Sequence, residues 1–282
     1  MVRGKMDLRI LMDTPPWEWP EEADEMISGI LRHGHADESE RLLAAELAGD
    51  FTVINEELVD ALLSIVLRGD ETEELRCQAV LSLGPVLEYA YTDGFDDPEE
   101  VPISEETFRR LQKSLRKLYL DTDIVKNVRR RILEASVRAP QDWHLDAVRA
   151  AYSLDDELWR LTAVFCMRFI RGFDDEIVEA LESEDPEIHY QAVCAAGVWG
   201  VEAAWSHVSG LLTSEDTDKP LLLAAIEAVA SIRPQEAAEI LTDLTNSEDE
   251  DIAEATLEAL TLAGLPREDV DWDEDDEDEF LH

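Results

Sequence analysis

The chain has 282 residues, 45% of them hydrophobic, and carries 67 Asp and Glu against 24 Lys and Arg, a formal net charge of −43. A surface this acidic repels phosphate backbones and anionic lipid headgroups, which sets nucleic acid and membrane aside as first partners. No stretch approaches the roughly 20 apolar residues that span a bilayer, and the three cysteines, Cys77, Cys166 and Cys194, form no CxxC or even-numbered framework, so they read as reduced, buried thiols of a cytoplasmic protein.

The first stretch, MVRGKMDLRILMDTPPWEWP, has a brief apolar run broken by Arg9 and Asp13 and no small-residue cleavage site, so secretion is not expected. Residues 1–20 are predicted to cap the first helix pair with Trp17 and Trp19, because a terminal repeat must close its apolar face. A helix is expected around Met26 to Leu31. Ser39 to Leu47 (SERLLAAEL) follows as a degenerate copy of a phrase that is plain further on, with Leu43 and Leu47 at its positions plus four and plus eight.

The first clear copy is LRCQAVLSLG, with Leu75 at position zero; VRRRILEASV follows at Val128, WRLTAVFCMR at Trp159, IHYQAVCAAG at Ile188, LLLAAIEAVA at Leu221 and IAEATLEALT at Ile252. The last four steps are 31, 29, 33 and 31 residues, and a fixed period in this range marks a repeat solenoid. Plus five is large and aliphatic in all six copies (Val80, Leu133, Val164, Val193, Ile226, Leu257), and plus four is small in five (Ala79, Ala163, Ala192, Ala225, Thr256). The small residue lets one helix approach another, and the large one fills the space between units. The 53-residue gap after Leu75 contains TDGFDDPEEVPIS, an acidic loop insertion at 92–104.

Acidic turns such as SEDPE, SEDTDKP and NSEDED separate each phrase from the amphipathic stretch before it. Their Ser, Asp and Asn side chains suit the unsatisfied amides of a new helix, and Pro186 and Pro220 sit where a first helical turn tolerates proline. The unit is helix, acidic turn, helix. Two such short helices cannot bury their own apolar faces, so neighbouring pairs must stack. The prediction is an all-α fold, an α-solenoid of about seven antiparallel helix pairs over residues 21–264. Residues 265–282 form a disordered tail in which ten acids crowd between Glu268 and Glu279.

The phrase with its turn resembles the HEAT repeat, especially the short bacterial variety of about thirty residues also found in phycobilin-lyase-type proteins. SEDPEIHYQAVCAAG, Ser183 to Gly197, matches best, with His189 where the repeat usually has Arg. Arg76, Arg129 and Arg160 keep that Arg, whereas Leu222 and Ala253 depart from it. The resemblance covers roughly 21–264 and implies a scaffold or adaptor without specifying chemistry.

Enzymatic members of the group leave no trace here. The resemblance to deoxyhypusine hydroxylase implies iron held by His-Glu dipeptides, but none of the six histidines is followed by Glu. An acidic body argues against the basic groove of HEAT-like alkylpurine DNA glycosylases. His33-Gly-His35 lacks further ligands and reads as a helix-end turn. Asp93-Gly-Phe-Asp96-Asp97 lacks the ligand order of an EF-hand and reads as a solvated loop. The sequence therefore predicts no catalytic residues, no metal and no cofactor.

Charge is unevenly placed. Ten of the 24 cations lie between Ile103 and Arg138, a segment with only five acids. Arg129 and the corresponding Arg76 and Arg160 are expected to pair with turn acids of adjacent repeats. Arg109, Arg110, Lys113, Arg116, Lys117, Lys126, Arg130 and Arg131 are the candidate docking surface for an acidic peptide or protein, or for the chain's own tail, because guanidinium forks bind carboxylates in bidentate fashion. Intramolecular pairing is the competing reading, as burial is for Trp159, Trp199 and Trp205.

The expected function is a non-enzymatic protein–protein interaction scaffold, binding a protein or peptide along one face. One rival is an accessory enzyme or cofactor handler of the phycobilin-lyase type, which would purify with a chromophore or metal. Another is an acidic decoy for a basic, nucleic-acid-binding partner. High-salt adaptation would also produce the charge, with folding that improves in molar salt.

Overall fold

The computed structural model describes residues 8–33, 37–95, 101–214 and 216–264. After a short α1 (Leu8–Met12), the chain forms α2 (Ala23–Arg32) with α3 (Glu38–Leu47), α4 (Glu56–Leu67) with α5 (Glu73–Leu81), an additional α6 (Gly84–Asp93), then α7 (Glu105–Leu120) with α8 (Lys126–Ser136). It continues with α9 (Asp142–Tyr152) and α10 (Glu157–Cys166), α11 (Asp174–Ala180) and α12 (Pro186–Trp199), α13 (Trp205–Leu211) and α14 (Lys219–Ile232), and α15 (Pro234–Leu241) and α16 (Glu250–Gly264). These are seven helix pairs. The second helix of each pair packs on the second helix of the next, from α3 through α5, α8, α10, α12 and α14 to α16. The architecture is an α-solenoid.

The helix starts follow from one column of the sequence, three residues before position zero. Asp156, Asp185, Asp218 and Asp249 there accept hydrogen bonds from the backbone amides of Trp159, Ile188, Leu221 and Ile252, and Thr72 does so for Leu75. Such a cap stabilises a helix by about 1 kcal/mol. Val125 occupies the column before α8 and has no side chain that can cap. The acids also tie repeats together. Lys126 reaches Asp156 at 2.6 Å, and Lys219 reaches Asp249 at 2.8 Å and Asp251 at 2.6 Å. Hydrogen bonds from these lysines, above all, hold the carboxyls of Asp156 and Asp249 below their ordinary range.

Packing gives the two aliphatic columns separate jobs. Every plus-four residue is fully buried, as are five of the six plus-five residues. In α8 the adjacent Ile132 and Leu133 belong to different halves of the core, one toward the N-terminal repeats and one toward the C-terminal repeats. Leu257 differs from the other plus-five residues, being 56% exposed. It lies on α16, the last described helix, and no other described helix covers it.

The first copy has a different phase from the expected one. Arg41 donates to Leu31 O, ten residues back, as Arg76 does to Val66 O and Arg129 to Tyr119 O. Position zero is therefore Glu40, one residue later than the sequence reading, and Ala44 and Ala45 are the buried plus-four and plus-five residues while Leu43 is only partly buried. With this register a glycine column appears at plus nine. A Cβ on Gly49 would lie 2.9 Å from Ser82, and one on Gly197 would lie 2.7 Å from Ala228 Cα. Ser82 and Ala228 both stand at plus seven of the following repeat, so these glycines allow successive second helices to close on each other.

The long gap before α8 also differs from a simple loop. Its first part is α6, which packs against α7 and α8, and Val101 and Ile103 return the chain to the core. At the N-terminus α1 packs on α3 and buries Leu8 and Leu11, while Trp19 Nε1 donates to Leu11 O and Thr14 O. Trp19 thus holds the capping segment together, whereas Trp17 is 78% exposed. The predicted tail, residues 265–282, lies outside the described residues.

Two tests separate the columns. Val193→Asp is expected to lower stability by about 3–5 kcal/mol, since it leaves a buried charge unpaired, whereas Leu257→Asp should stay within about 0.5 kcal/mol; urea titration of both variants checks this. Gly197→Ala should cost roughly 1–3 kcal/mol through overpacking. Gly29→Ala, a helical site with open space around it, should instead be neutral or stabilising by up to about 1 kcal/mol.

Candidate functional site

α7 is the most asymmetric surface of the solenoid. Its Phe108, Leu111, Leu115 and Leu118 are buried on one face. Its start is fixed from α4: Glu56 accepts from Ser104 N at 2.7 Å and from Thr107 Oγ1. Burial opposes ionisation of Glu56, but these hydrogen bonds outweigh it and hold the carboxyl below its usual range. The opposite face presents Arg109, Lys113, Arg116 and Lys117 to solvent. Positions 113, 116 and 117 are three and four residues apart and so share one helical face.

Partners divide these cations sharply. Arg109 pairs with Glu105 on its own helix and Arg110 with Asp60 of α4, both at 2.6 Å. Lys113, Arg116 and Lys117 have no hydrogen bond, ion pair or ring partner among the described residues. Every other described lysine or arginine has one, down to Arg149 over the Phe173 ring and Arg171 over Trp199.

The remaining candidates from the basic segment face elsewhere. Lys126 belongs to the turn ladder. Arg130 is 5% exposed, with Nη1 donating to Thr162 Oγ1 at 2.8 Å and Nε and Nη2 to Asn127 Oδ1; burial lowers its pKa. Arg131 pairs with Glu134 at 2.5 Å. Arg138 pairs with Glu88 and lies over Phe165 and Phe169. The island is therefore divided between α7, in the layer of first helices, and α8, in the layer of second helices. Nothing in the spacing announces this, because consecutive helices of a pair face different neighbours.

The repeat arginines are a further difference. Arg76 and Arg129 satisfy carbonyls at the end of the preceding helix, Val66 O and Tyr119 O, and meet no turn acid. Arg160 does meet an acid, Glu179 at 2.9 Å, and stacks over Tyr152. The buried turn-acid pair is Arg41 with Glu71, joined by two bonds of 2.6 and 2.8 Å. That bidentate contact is the chief cause of Glu71's lowered pKa.

Along the second-helix layer run two shallow grooves of about 280 Å³ each. One lies between α8, α10 and α12, with Arg131, Leu158, Phe165 and Gln191 in its walls. The other lies between α12, α14 and α16, floored by Gly197 and Ala228. Both fall just short of the roughly 300–1,000 Å³ typical of small-molecule pockets. A larger crevice of about 400 Å³ sits beside Trp17, but Asp24 in its wall is already engaged by Asn55.

Reactive groups are held quiet. Cys77 and Cys166 are buried and Cys194 is half-buried; all are free, and burial raises all three thiols. No cluster of three or more His, Cys, Asp or Glu fit to hold a metal occurs among the described residues. His33 Nδ1 faces Gly29 O at 2.5 Å, within its own helix end, and His35 lies outside the described residues, as do Asp96 and Asp97. No helix among the described residues is long and apolar enough to cross a membrane. His144 is fully buried, its Nδ1 accepting from Gln141 N at 2.9 Å and its Nε2 facing Ser136 Oγ at 3.0 Å. Burial pushes its imidazole down to about 4.

A family model described as HEAT repeats matches residues 175–261. No curated protein matches the chain. Among solved structures, YibA from E. coli is similar at 15% identity and a TM-score of 0.47, over 90% of this chain and 85% of that one. Human deoxyhypusine hydroxylase in complex with glycerol gives 15% identity and 0.40 over 91% and 88%. A designed armadillo repeat protein gives 17% and 0.36 over 86% and 100%. With every TM-score below 0.5, none of these bears on function.

His144 gives a test of the buried network. An unfolded imidazole titrates near 6.5, so between about pH 6.5 and 4 the unfolded chain binds a proton that the native chain refuses. Stability from this group is complete above that window and is lost as pH falls through it. His144→Gln should flatten the decline by up to about 1.4 kcal/mol per pH unit, measured as urea midpoints from pH 7 to pH 4.5.

Proposed function

We propose that this chain, a HEAT-repeat protein, is a non-enzymatic interaction scaffold that docks an acidic segment of a protein partner on the solvent face of α7. The observation that carries this reading is the trio Lys113, Arg116 and Lys117. In a chain of net charge −43, where carboxylates are in large excess, these three cations meet none among the described residues.

Screening makes the trio effective despite the surrounding acids. At physiological ionic strength interactions fade over about 8 Å, so a carboxylate-bearing segment that reaches α7 experiences mainly the local positive face. The wider negative field then acts as a filter against long-range capture of anions, and nucleic acid suffers from it most. Packing of α7 through Phe108, Leu111, Leu115 and Leu118 presents the face on a pre-formed helix, so binding need not order the backbone. Among the described residues the two grooves of the second-helix layer are shallow, Cys77, Cys166 and His144 are buried and Cys194 is half-buried, which favours a scaffold over an accessory enzyme.

The test is a charge reversal, Lys113→Glu/Arg116→Glu/Lys117→Glu. All three side chains are exposed, so circular dichroism should be unchanged and stability should move by no more than about 0.5 kcal/mol per site. Pull-downs from the native organism with wild type and variant are expected to differ in acidic partners, which the variant fails to recover. Equal recovery of every partner would remove α7 from consideration. Arg130 is unsuitable for such a test, since its reversal would place a charge conflict in the interior.

A further inference from the structure

At position plus one the repeats reach forward as well as back. Arg160 crosses to Glu179 in the first helix of the next repeat. One repeat later the equivalent reach joins His189 on α12 to His207 on α13, so two imidazoles stand where the preceding repeat has an ion pair. Their Nε2 atoms face each other at 2.8 Å, with the rings near perpendicular at 84°. His207 Nδ1 lies 3.3 Å from a Glu182 carboxylate oxygen.

This arrangement has the logic of a ligand pair. A carboxylate on the Nδ1 side of His207 favours the ring hydrogen there, which would leave the Nε2 lone pair directed at His189, as outer carboxylates do for metal-bound histidines. Both rings hang from helices, and both are only partly exposed. We propose that His189 and His207 form a binding site for a divalent transition metal, zinc or copper, with Glu182 orienting His207.

A tetrahedral zinc with bonds of 2.0–2.1 Å needs its two nitrogens about 3.3 Å apart, so the pair must open by about half an ångström, within the reach of small χ rotations. The remaining coordination positions are left to water or to a donor from a bound partner. Imidazole ligands select zinc and copper over magnesium and calcium, which prefer oxygen. Burial, and next the charge of His207, lower the pKa of His189. Glu182 and Asp218 contribute the opposing negative field.

The experiment is equilibrium dialysis of the full chain against zinc chloride at pH 7.5, with millimolar magnesium present to occupy surface carboxylates. Wild type should retain one zinc per chain, and His189→Ala and His207→Ala should each weaken that uptake at least tenfold while keeping the wild-type circular dichroism. Copper(II) added to wild type should show nitrogen coupling from two imidazoles in its electron paramagnetic resonance spectrum, reduced to one or none in each variant. Undiminished zinc uptake in both variants, or a copper spectrum with oxygen ligation only, would overturn the proposal.

Discussion

The fold depends on how closely one second helix can lie against the next. A pair of short helices leaves apolar surface on both sides, so stability is shared between units and is no property of any one of them. Ala at plus four removes bulk, Gly at plus nine removes a Cβ that would meet plus seven of the next repeat, and an aliphatic residue at plus five fills the gap so made. On α16, the last described helix, the same plus-five residue lies open: Leu257 is chemically identical to Leu133 but has no described unit beyond it to enter.

That close stacking also organises the charge. Turn acids have a structural use in the later repeats, where a capping Asp starts the second helix and, in two cases, also meets the Lys of the unit before it, as with Asp156 and Lys126 and with Asp249 and Lys219. Part of the acidity is thus built into helix starts, where negative charge complements the helix dipole. Among the described residues the scarce cations nearly all have a partner, some within one helix and some across repeats. Against that background the trio on α7, without a partner among the described residues, is informative, since in a chain rich in basic residues three such cations would mean little.

The repeat itself was legible in the sequence, because burial with a fixed period leaves columns that need no coordinates to see. Its first copy was misplaced by one residue: Leu43 and Leu47 imitate the aliphatic column, and the signal that corrects them, Arg41 aligned with Arg76 and Gly49 with Gly84, is polar and small instead of large and apolar. The α6 helix was hidden for a related reason, since Gly84-Pro85 punctuates the sequence as a turn would, although proline is tolerated in a first helical turn. The basic segment was legible as a composition and not as a surface. Alternate helices of a solenoid face different layers, so Arg130 goes inward to Thr162 while Lys113 remains in solvent.

The plus-one column shows how a repeat acquires chemistry without changing its fold. In the first three copies its arginine turns back to a carbonyl ten residues earlier, at the end of the first helix, and Arg41 also grips Glu71 in the turn of the next repeat. At Arg160 the same position turns forward to Glu179, and at His189 it meets His207. By Leu222 and Ala253 it carries no polar group at all. In the early copies Arg41 and Arg76 are buried and hold helix-end carbonyls, whereas from Arg129 onward plus one is only partly buried and plus four and plus five carry the packing. In those later copies the position can exchange a guanidinium for an imidazole without disturbing the core, and the side chain there can answer to a ligand.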